Sequence, residues 1–321
     1  MEIKRIMSLQ SILFGNGLNL LNEGTPSWDD LLKDIAKESL DKNIPNTLKY
    51  EAVILKQPYR ESPVRLLTSD GKMLITSDGK VLFASGEVIE SKLKKDIAER
   101  VSVFEPNDIY RMVSELPVDH FMTTNYDNTL LKVKGDKPIK SHNKQEQTYS
   151  IRRHYSLIEG QQFWPIHGNV ESPRSIMLGF DHYCGALSKV ESYVKGGYEM
   201  PEIGRMTSIT KRLEDGIDNV HSWIDLFFCS DVHIIGQGLD YAEMDLWWIL
   251  NKRRRIKQKD AKLIKNRIVY YPDYAITKDK RQLLNGFDVE ICDLNEYPDN
   301  ERYWIYREQL NNMRLRMREV E

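Results

Sequence analysis

The sequence predicts an α/β fold in which a mostly parallel sheet carries helices on both faces. Four short apolar runs have the composition of buried strands, and each ends abruptly in glycine or polar residues. The segments between several of them place apolar residues at spacings of three and four, which is typical of amphipathic helices. The four runs are residues 12–14, 118–122, 163–166 and 232–235, and residues 267–271 and 287–291 are predicted as the last strands.

Local signals predict the connecting segments in chain order. Ser27 follows a turn and caps an amphipathic helix with apolar residues at 28, 31, 32 and 35. The pentapeptide Thr-Ser-Asp-Gly-Lys occurs at 68–72 and again at 76–80, with a short apolar run after each copy. Asp-Gly between apolar runs favours hairpins, so we expect a small β-meander insertion at about 60–90. Helical patterns return from Lys92, and the polar, aperiodic stretch 133–160 is predicted to be a long loop.

The 321 residues are predicted to form one large domain with insertions. This domain covers residues 1–295, with the meander at about 60–90 and a helical insertion at about 183–228. A C-terminal helix follows at 296–321, with Trp304, Leu310 and Met313 as its expected buried positions.

Composition narrows the class of protein. The net charge of −2 gives no global electrostatic reason to bind nucleic acid or a membrane surface. The sequence contains no apolar run near eighteen residues and no recognisable signal peptide, so we expect no membrane partner and a cytoplasmic location. Its three cysteines are scattered and form no Cys-x-x-Cys pair, which argues against a structural zinc or a disulfide framework and suits a reducing compartment. We expect no metal.

The polar residues that end the four strands predict one small-molecule site. In an open α/β sheet, ligands bind just outside the carboxyl ends of the strands. The four polar ends are residues 15–19, 123–127, 167–169 and 236–240. Together they indicate a single nucleotide-sized pocket.

Each of these polar ends also has a structural interpretation. Gly15 and Gly17 can bring backbone N–H groups toward a phosphate, or simply form a strand-to-helix turn, because the third glycine of the dinucleotide fingerprint is missing. The amides of Asn16 and Asn19 favour a ligand. A lone buried histidine is often structural, with its hydrogen bonds made within the protein. His167, however, ends an aromatic strand, which favours a role in acid–base catalysis.

Two acidic positions have the same ambiguity. Asp127 can cap the helix that begins near Leu130, and this role is compatible with ligand binding. Glu243 and Asp245 can cap the helix that follows residues 238–240.

A basic run at residues 252–267 holds nine Lys and Arg residues against the single acidic residue Asp260. Direct nucleic-acid binding or partner docking is one interpretation of this run. A solvated helix end is the favoured one, because no aromatic residues are interleaved with the charges.

Taken together, these motifs resemble the SIR2-like family, in particular its bacterial antiphage-defence branch of NAD-consuming proteins. The resemblance rests on motifs that occur in the same order between residues 12 and 250. These motifs are Leu13-Phe14-Gly15-Asn16-Gly17, Pro26-Ser27-Trp28-Asp29-Asp30-Leu31-Leu32, Thr123-Thr124-Asn125-Tyr126-Asp127, Ile166-His167-Gly168, and Ile235-Gly236-Gln237-Gly238-Leu239 followed by Asp245. The first glycine motif is closer to AbiH-type abortive-infection relatives.

The resemblance implies a Rossmann-like (SIR2/DHS-like) sheet that binds NAD⁺ as a substrate. By the family pattern, Asn125 holds the nicotinamide ribose and a water, Asp127 shapes the nicotinamide pocket, and His167 is the general base. The residues expected to bind the dinucleotide are Gly15, Asn16, Gly17, Asn19, Thr124, Gly236, Gly238, Leu239 and Asp245.

The function implied is an NAD⁺ glycohydrolase that releases nicotinamide and ADP-ribose. Within that branch, the enzyme would be a gated effector of antiviral defence, expected as a homo-oligomer and with a partner protein encoded nearby. The zinc-binding cysteine pairs of protein deacetylases are lacking, so deacetylation is not expected. The alternative is a catalytically silent module that binds NAD⁺ or ADP-ribose and either senses the nucleotide or organises a larger defence complex.

Overall fold

The computed structural model describes residues 9–36, 41, 43–56, 74–75, 81–82, 85–135, 141–142, 148–157, 160–217, 219–298 and 301–318. The strands in these residues are β1 (Leu9–Phe14), β2 (Leu74–Ile75), β3 (Val81–Leu82), β4 (His120–Thr123), β5 (Ser141–His142), β6 (His154–Ser156), β7 (Gln162–Pro165), β8 (Glu199–Met200), β9 (Gly204–Arg205), β10 (Ser230–Ile235), β11 (Ile268–Tyr271) and β12 (Glu290–Ile291).

The α-helices in the same residues are α1 (Trp28–Ala36), α2 (Asn46–Lys56), α3 (Ser85–Ser102), α4 (Asp108–Ser114), α5 (Thr129–Lys134), α6 (Phe180–Lys195), α7 (Ile209–Asp215), α8 (Trp223–Cys229), α9 (Met244–Lys259), α10 (Lys278–Gly286) and α11 (Arg302–Arg318). Two short 3₁₀ helices cover Asn16–Leu21 and Pro173–Ser175.

The main sheet has eight strands in the order β12-β11-β10-β1-β4-β7-β6-β5. The six strands from β12 to β7 are all parallel, and β6 and β5 continue the sheet by antiparallel pairing. Counted along the chain, the six parallel strands lie in the spatial order 3-2-1-4-5-6, which is a doubly wound order. The direction of winding reverses between β1 and β10. The sheet is therefore compatible with a Rossmann-like fold.

Alternate residues of the strands face two separate hydrophobic layers. Leu13 of β1 belongs to a cluster built with α6 to α10, whereas Ile12 and Phe14 belong to one built with α4, α5 and α11. Every residue of the central strand β10 is buried, as expected of a parallel strand covered on both faces. The predicted α/β architecture, with helices on both faces of a mostly parallel sheet, is confirmed.

A third hydrophobic cluster joins helices α1, α2 and α3. Leu32, Tyr50 and Ile97 from these three helices pack with Tyr126 and with residues 176 and 178. This helical group stands beside the carboxyl ends of the strands and supplies one wall of the cleft described below.

Two local predictions were wrong. Residues 133–160 contain β5 and β6 rather than only a loop, and strands of two or three residues are too short to give a readable alternation. Trp304 is 40% exposed, while Tyr306, Leu310 and Met313 are buried. The 3.6-residue period of a helix places 306, 310 and 313 on one face and turns 304 away from it.

The insertions are described in part. β2 and β3 pair antiparallel, with Leu74 opposite Leu82, whereas both copies of the repeat, residues 68–72 and 76–80, lie outside the described residues. Helix α3 begins at Ser85, earlier than the predicted Lys92. The stretch 183–228 carries helices, as expected, and also the antiparallel pair β8–β9. Among the described residues, no helix is long and apolar enough to cross a membrane.

Candidate functional site

A cleft of about 320 Å³ opens at the carboxyl ends of β1, β4, β7 and β10. Its floor comes from the residues that follow these strands: Asn16 and Gly17, Thr124, His167, and residues 236–238. The opposite wall is formed by α1, the start of α2 and residues 177–178. The volume lies within the range of roughly 300–1,000 Å³ that is usual for small-molecule sites. The cleft therefore lies where a doubly wound sheet places its ligands.

His167 is held between two partners at the base of this cleft. Its Nε2 lies 2.9 Å from Oδ2 of Asp245, and its Nδ1 lies 3.4 Å from the hydroxyl of Tyr183, whose ring stands edge-on to the imidazole. Because a carboxylate only accepts hydrogen bonds, Nε2 carries the proton of the neutral ring. Nδ1 is then the basic nitrogen, on the side of Tyr183.

The charge of Asp245 sets the basicity of His167. Burial works to lower the pKa of His167, which is only 2% exposed. The attraction of Asp245 and its hydrogen bond outweigh this effect, helped by Glu243, and the net result is a pKa above the ordinary histidine value. A buried imidazole that accepts a proton readily is suited to general base catalysis.

Glu243 is a second titratable group in the cleft. It occupies the N-cap position of α9 but makes no capping hydrogen bond. Both of its carboxylate oxygens accept from Nε2 of Gln237, at 3.1 and 2.9 Å, and the same nitrogen lies 3.0 Å from Oγ1 of Thr124. Burial raises the pKa of Glu243 to about 7, with His167 opposing and Asp245 adding to the rise. The side chain of Glu243 therefore lines the cleft and does not cap the helix.

Behind the cleft, four polar side chains form a buried network. Nδ2 of Asn19 donates to Asp127 at 2.8 Å, and Oδ1 of Asn19 accepts from the Tyr110 hydroxyl at 2.7 Å. Asp127 also accepts from the backbone N–H of Thr129 at 2.9 Å, at the start of α5. The N-cap residue of α5 is Asn128, so Asp127 contributes to the start of the helix from one position earlier, and it does not line the cleft.

Asn125 belongs to this network and leaves one atom unsatisfied. Its Nδ2 donates to the Tyr110 hydroxyl at 3.3 Å, which fixes the orientation of the amide. Its Oδ1 is buried and has no hydrogen-bond partner within the described protein. An unmet buried acceptor is costly, so it marks a place where a ligand hydroxyl or a water fits. Asn125 directly follows Thr124, which lines the cleft.

The first glycine turn is closed against the second. The backbone N–H of Gly15 donates to the carbonyl of Ile235 at 3.2 Å, and that of Gly17 donates to the carbonyl of Gly236 at 2.9 Å. A Cβ on Gly17 would lie 2.8 Å from that same carbonyl oxygen. These two N–H groups therefore join the turns to each other instead of facing a phosphate.

Of the two glycines in the second turn, Gly236 has no room for a side chain and Gly238 has room for one. Gly236 has φ +62° and packs on Leu18, so a side chain there would be strained. Gly238 borders the cleft, and a Cβ added to it would meet nothing within 4 Å. Leu239 adopts φ +45°, an uncommon conformation for leucine, and points into the core.

The charges that line the cleft are acidic. Asp29, Asp240 and Glu243 line it, and among the described lining residues there is no lysine or arginine. Lys49 is buried nearby but is held by Asp29 at 2.6 Å, and the hydrogen bonds from Lys33 and Lys49 keep the pKa of Asp29 low. The cleft favours a neutral or cationic group more than a free anion.

The predicted site residues divide into two groups. Those that line the cleft are Asn16, Gly17, Thr124, His167, Gly236 and Gly238. Those that lie behind it are Gly15, Asn19, Asn125, Asp127, Leu239 and Asp245. Tyr183 and Trp28 line the cleft but were not predicted to, because each comes from a helix whose packing position has no signature in the sequence.

The basic run contributes to the fold of α9. Arg253 is fully buried and its guanidinium lies 2.8 Å from Asp288, which Lys257 also reaches at 2.7 Å. The favoured prediction of a solvated helix end is therefore wrong for Arg253, which is buried within α9 and paired with Asp288. Within the part of the chain that the structure describes, no group of His, Cys, Asp or Glu is arranged to hold a metal ion.

When the chain is compared with models of known families and with characterised proteins, it matches none of them.

Proposed function

We propose that the protein is an NAD⁺ glycohydrolase of the SIR2-like kind, which releases nicotinamide and ADP-ribose. The observation that carries the proposal is the buried His167–Asp245 pair at the base of a cleft on the carboxyl side of the sheet. A histidine base oriented by a carboxylate is the arrangement that activates a hydroxyl or a water.

The chemistry follows from the residues around that pair. The bond between C1′ of the ribose and the pyridinium nitrogen breaks, and nicotinamide leaves neutral with the electron pair. Positive charge develops on the ribose, and the carboxylates of Glu243 and Asp240 stabilise it electrostatically. A water attacks C1′ and gives its proton to Nδ1 of His167, while Asp245 stabilises the imidazolium. The acidic lining suits the cationic nicotinamide ring of the substrate.

Asn125 is proposed to orient the ribose or the attacking water. Its unpartnered Oδ1 is an acceptor fixed in place by the Tyr110 hydroxyl. A substrate hydroxyl that donates to this oxygen would remove the cost of leaving it unsatisfied.

An enzyme that consumes NAD⁺ would harm its own cell unless it were controlled. We therefore propose that the activity is gated, as an effector of antiviral defence, with a homo-oligomer or a partner protein as the means of control. This part of the proposal rests on the resemblance in the sequence motifs.

The test measures nicotinamide release by the purified full chain, alone and with proteins encoded beside it. We expect His167→Ala to reduce release by at least roughly a hundredfold, the scale of lost general acid–base catalysis. His233→Gln is the matched control, because His233 is buried on β10, bonded to Tyr271, and does not line the cleft. Near-normal turnover by a folded His167→Ala protein would exclude His167 as the base.

A second function, a silent module that binds NAD⁺ or ADP-ribose, is favoured by one observation. Oδ1 of Asn125 is shielded from solvent, so the proposed orienting group does not reach the open cleft in this structure. Calorimetry with ADP-ribose separates the two functions: a module binds it, while nicotinamide release stays absent under every activating condition.

A further inference from the structure

A second cavity, of about 330 Å³, lies on a different part of the surface and shares no lining residue with the first. Arg152 and His154 line it from the segment that enters β6, and His221 lines it from the segment that precedes α8. Met200 and Glu202 contribute from β8 and the turn that joins β8 to β9. Neither the sequence motifs nor the proposed hydrolysis uses this cavity.

The guanidinium of Arg152 is only partly used within the protein. One of its terminal nitrogens lies 3.0 Å from Oε2 of Glu202. Its Nε is buried and has no hydrogen-bond partner within the described residues. Because that nitrogen is shielded from solvent, an anion would bind Arg152 through the terminal nitrogen that now reaches Glu202, and Glu202 would have to leave.

The ion pair between Glu202 and Arg152 is weak. The side chain of Glu202 is 61% exposed, whereas that of Arg152 is 14% exposed. Exposed ion pairs typically contribute only about 0–1 kcal/mol, because solvent screens them and ordering the side chains costs entropy. A carboxylate from solution can therefore replace that of Glu202 at small cost.

The rest of the cavity indicates what such a carboxylate would be attached to. Met200, Ile203 and Val220 provide an apolar wall. His154 and His221 also line the cavity, and because Nδ1 of His154 already lies 3.0 Å from the carbonyl oxygen of Arg152, His221 is the imidazole that can donate to an anion. An apolar wall with a few convergent polar groups is the usual composition of a small-molecule site.

We propose that this cavity binds a small organic carboxylate with a compact apolar body, whose carboxylate displaces that of Glu202 from Arg152. The apolar body would pack against Met200, Ile203 and Val220. An ordinary exposed ion pair beside an empty depression is the competing explanation, and it predicts no ligand.

The test uses isothermal titration calorimetry with benzoate on the full chain at low salt. We expect wild-type protein to bind benzoate, and Glu202→Gln to bind it several-fold more tightly because the internal competitor has been removed. Arg152→Gln should bind at least tenfold more weakly. Benzamide, which has the same shape without the charge, should not bind. Thermal unfolding in the absence of ligand verifies that both variants are folded.

Any of three results would overturn the proposal: no benzoate binding at millimolar concentration, equal binding of benzamide, or no gain in affinity in Glu202→Gln. Adding ADP-ribose as a competitor tests whether benzoate binds in this cavity or in the first cleft. Because the two cavities share no lining residue, we expect ADP-ribose to leave the affinity for benzoate unchanged. This outcome does not depend on whether the protein hydrolyses NAD⁺.

Discussion

The two glycine turns beside the cleft repeat one pattern and do different things with it. Gly15-Asn16-Gly17-Leu18-Asn19 follows β1, and Gly236-Gln237-Gly238-Leu239-Asp240 follows its neighbour β10. Each has two glycines, an amide between them, a buried leucine and then an Asn or Asp. The leucines enter opposite layers of the core, Leu18 on one face of the sheet and Leu239 on the other.

Both turns border the cleft, but the first is fixed by buried contacts, whereas the second has free space beside Gly238. Gly17 is locked against Gly236, and Asn19 is buried in a hydrogen-bonded network. Gly238 faces open space, and Asp240 is exposed in the cleft. The five-residue pattern is the same at both strand ends and therefore does not predict which turn has space beside it for a ligand. The packing between the two turns determines this.

The largest expected difference is between the glycines. Gly17→Val should lower the free energy of unfolding by about 3 kcal/mol, at the upper end for overpacking, because its side chain would collide with Gly236. Gly238→Val should leave stability almost unchanged and weaken ADP-ribose binding by about tenfold, since the added side chain occupies cleft space. Denaturant unfolding and calorimetry measure the two quantities. Equal stability of the two variants would contradict the division of roles.

The fifth residues of the turns provide the next comparison. Asn19→Ala should lower the free energy of unfolding by about 2 kcal/mol, because Asp127 and the Tyr110 hydroxyl lose a buried partner. Asp240→Ala should lower it by only about 1 kcal/mol, because the exposed carboxylate of Asp240 loses a single hydrogen bond, from the N–H of Ala242 at 2.8 Å. Urea unfolding of both variants checks the prediction, and a larger loss for Asp240→Ala would reverse the assignment.

The second turn is followed by Asp245, whose carboxylate is bonded to His167. The pH dependence of activity therefore tests the role of Asp245. Asp245 raises the pKa of His167, so the neutral base is gained only as the pH rises above the ordinary histidine range. Asp245→Asn should move the acid limb of kcat/KM to lower pH and reduce its maximum by about tenfold. A purely structural Asp245 would change the maximum without displacing the limb, and a displacement toward higher pH would contradict the pairing.

The smallest effect is expected at the central amides. Burial raises the pKa of Glu243 to about 7, and the hydrogen bond from Gln237 slightly opposes that rise, so Gln237→Ala should move the titration of Glu243 to slightly higher pH. The matched Asn16→Ala leaves Asn19 bonded to Asp127 and should not affect that titration. Carbon-13 NMR of the glutamate carboxyl groups measures the difference. An unchanged titration in Gln237→Ala would show that Gln237 does not control Glu243.

What the sequence predicted correctly is encoded locally. The buried strands and their polar ends could be identified because an apolar run that stops in glycine and amides is a pattern within a few residues. Strands β6 and β5, which end the sheet on one side, were missed because they are too short to show alternation. The side chain of Trp304 was placed on the wrong face of a helix whose other buried positions were correct.

The part of the site that lies at strand ends could be predicted from the sequence. His167 and the two glycine turns could be named from their position after apolar runs. Tyr183 could not, because α6 reaches the cleft only through packing across the sheet. That Asn19 and Asp127 close on each other rather than on a ligand likewise depends on a contact between residues 108 positions apart.

The bond between His167 and Asp245 joins residues 78 positions apart in the chain. During synthesis, a chain that has not yet released residue 245 from the ribosome lacks the carboxylate that supports the proposed base. Even after release, α9 must pack onto the sheet before the pair can form. If the protein hydrolyses NAD⁺ as proposed, this order of assembly keeps nascent chains inactive until nearly the whole domain has folded.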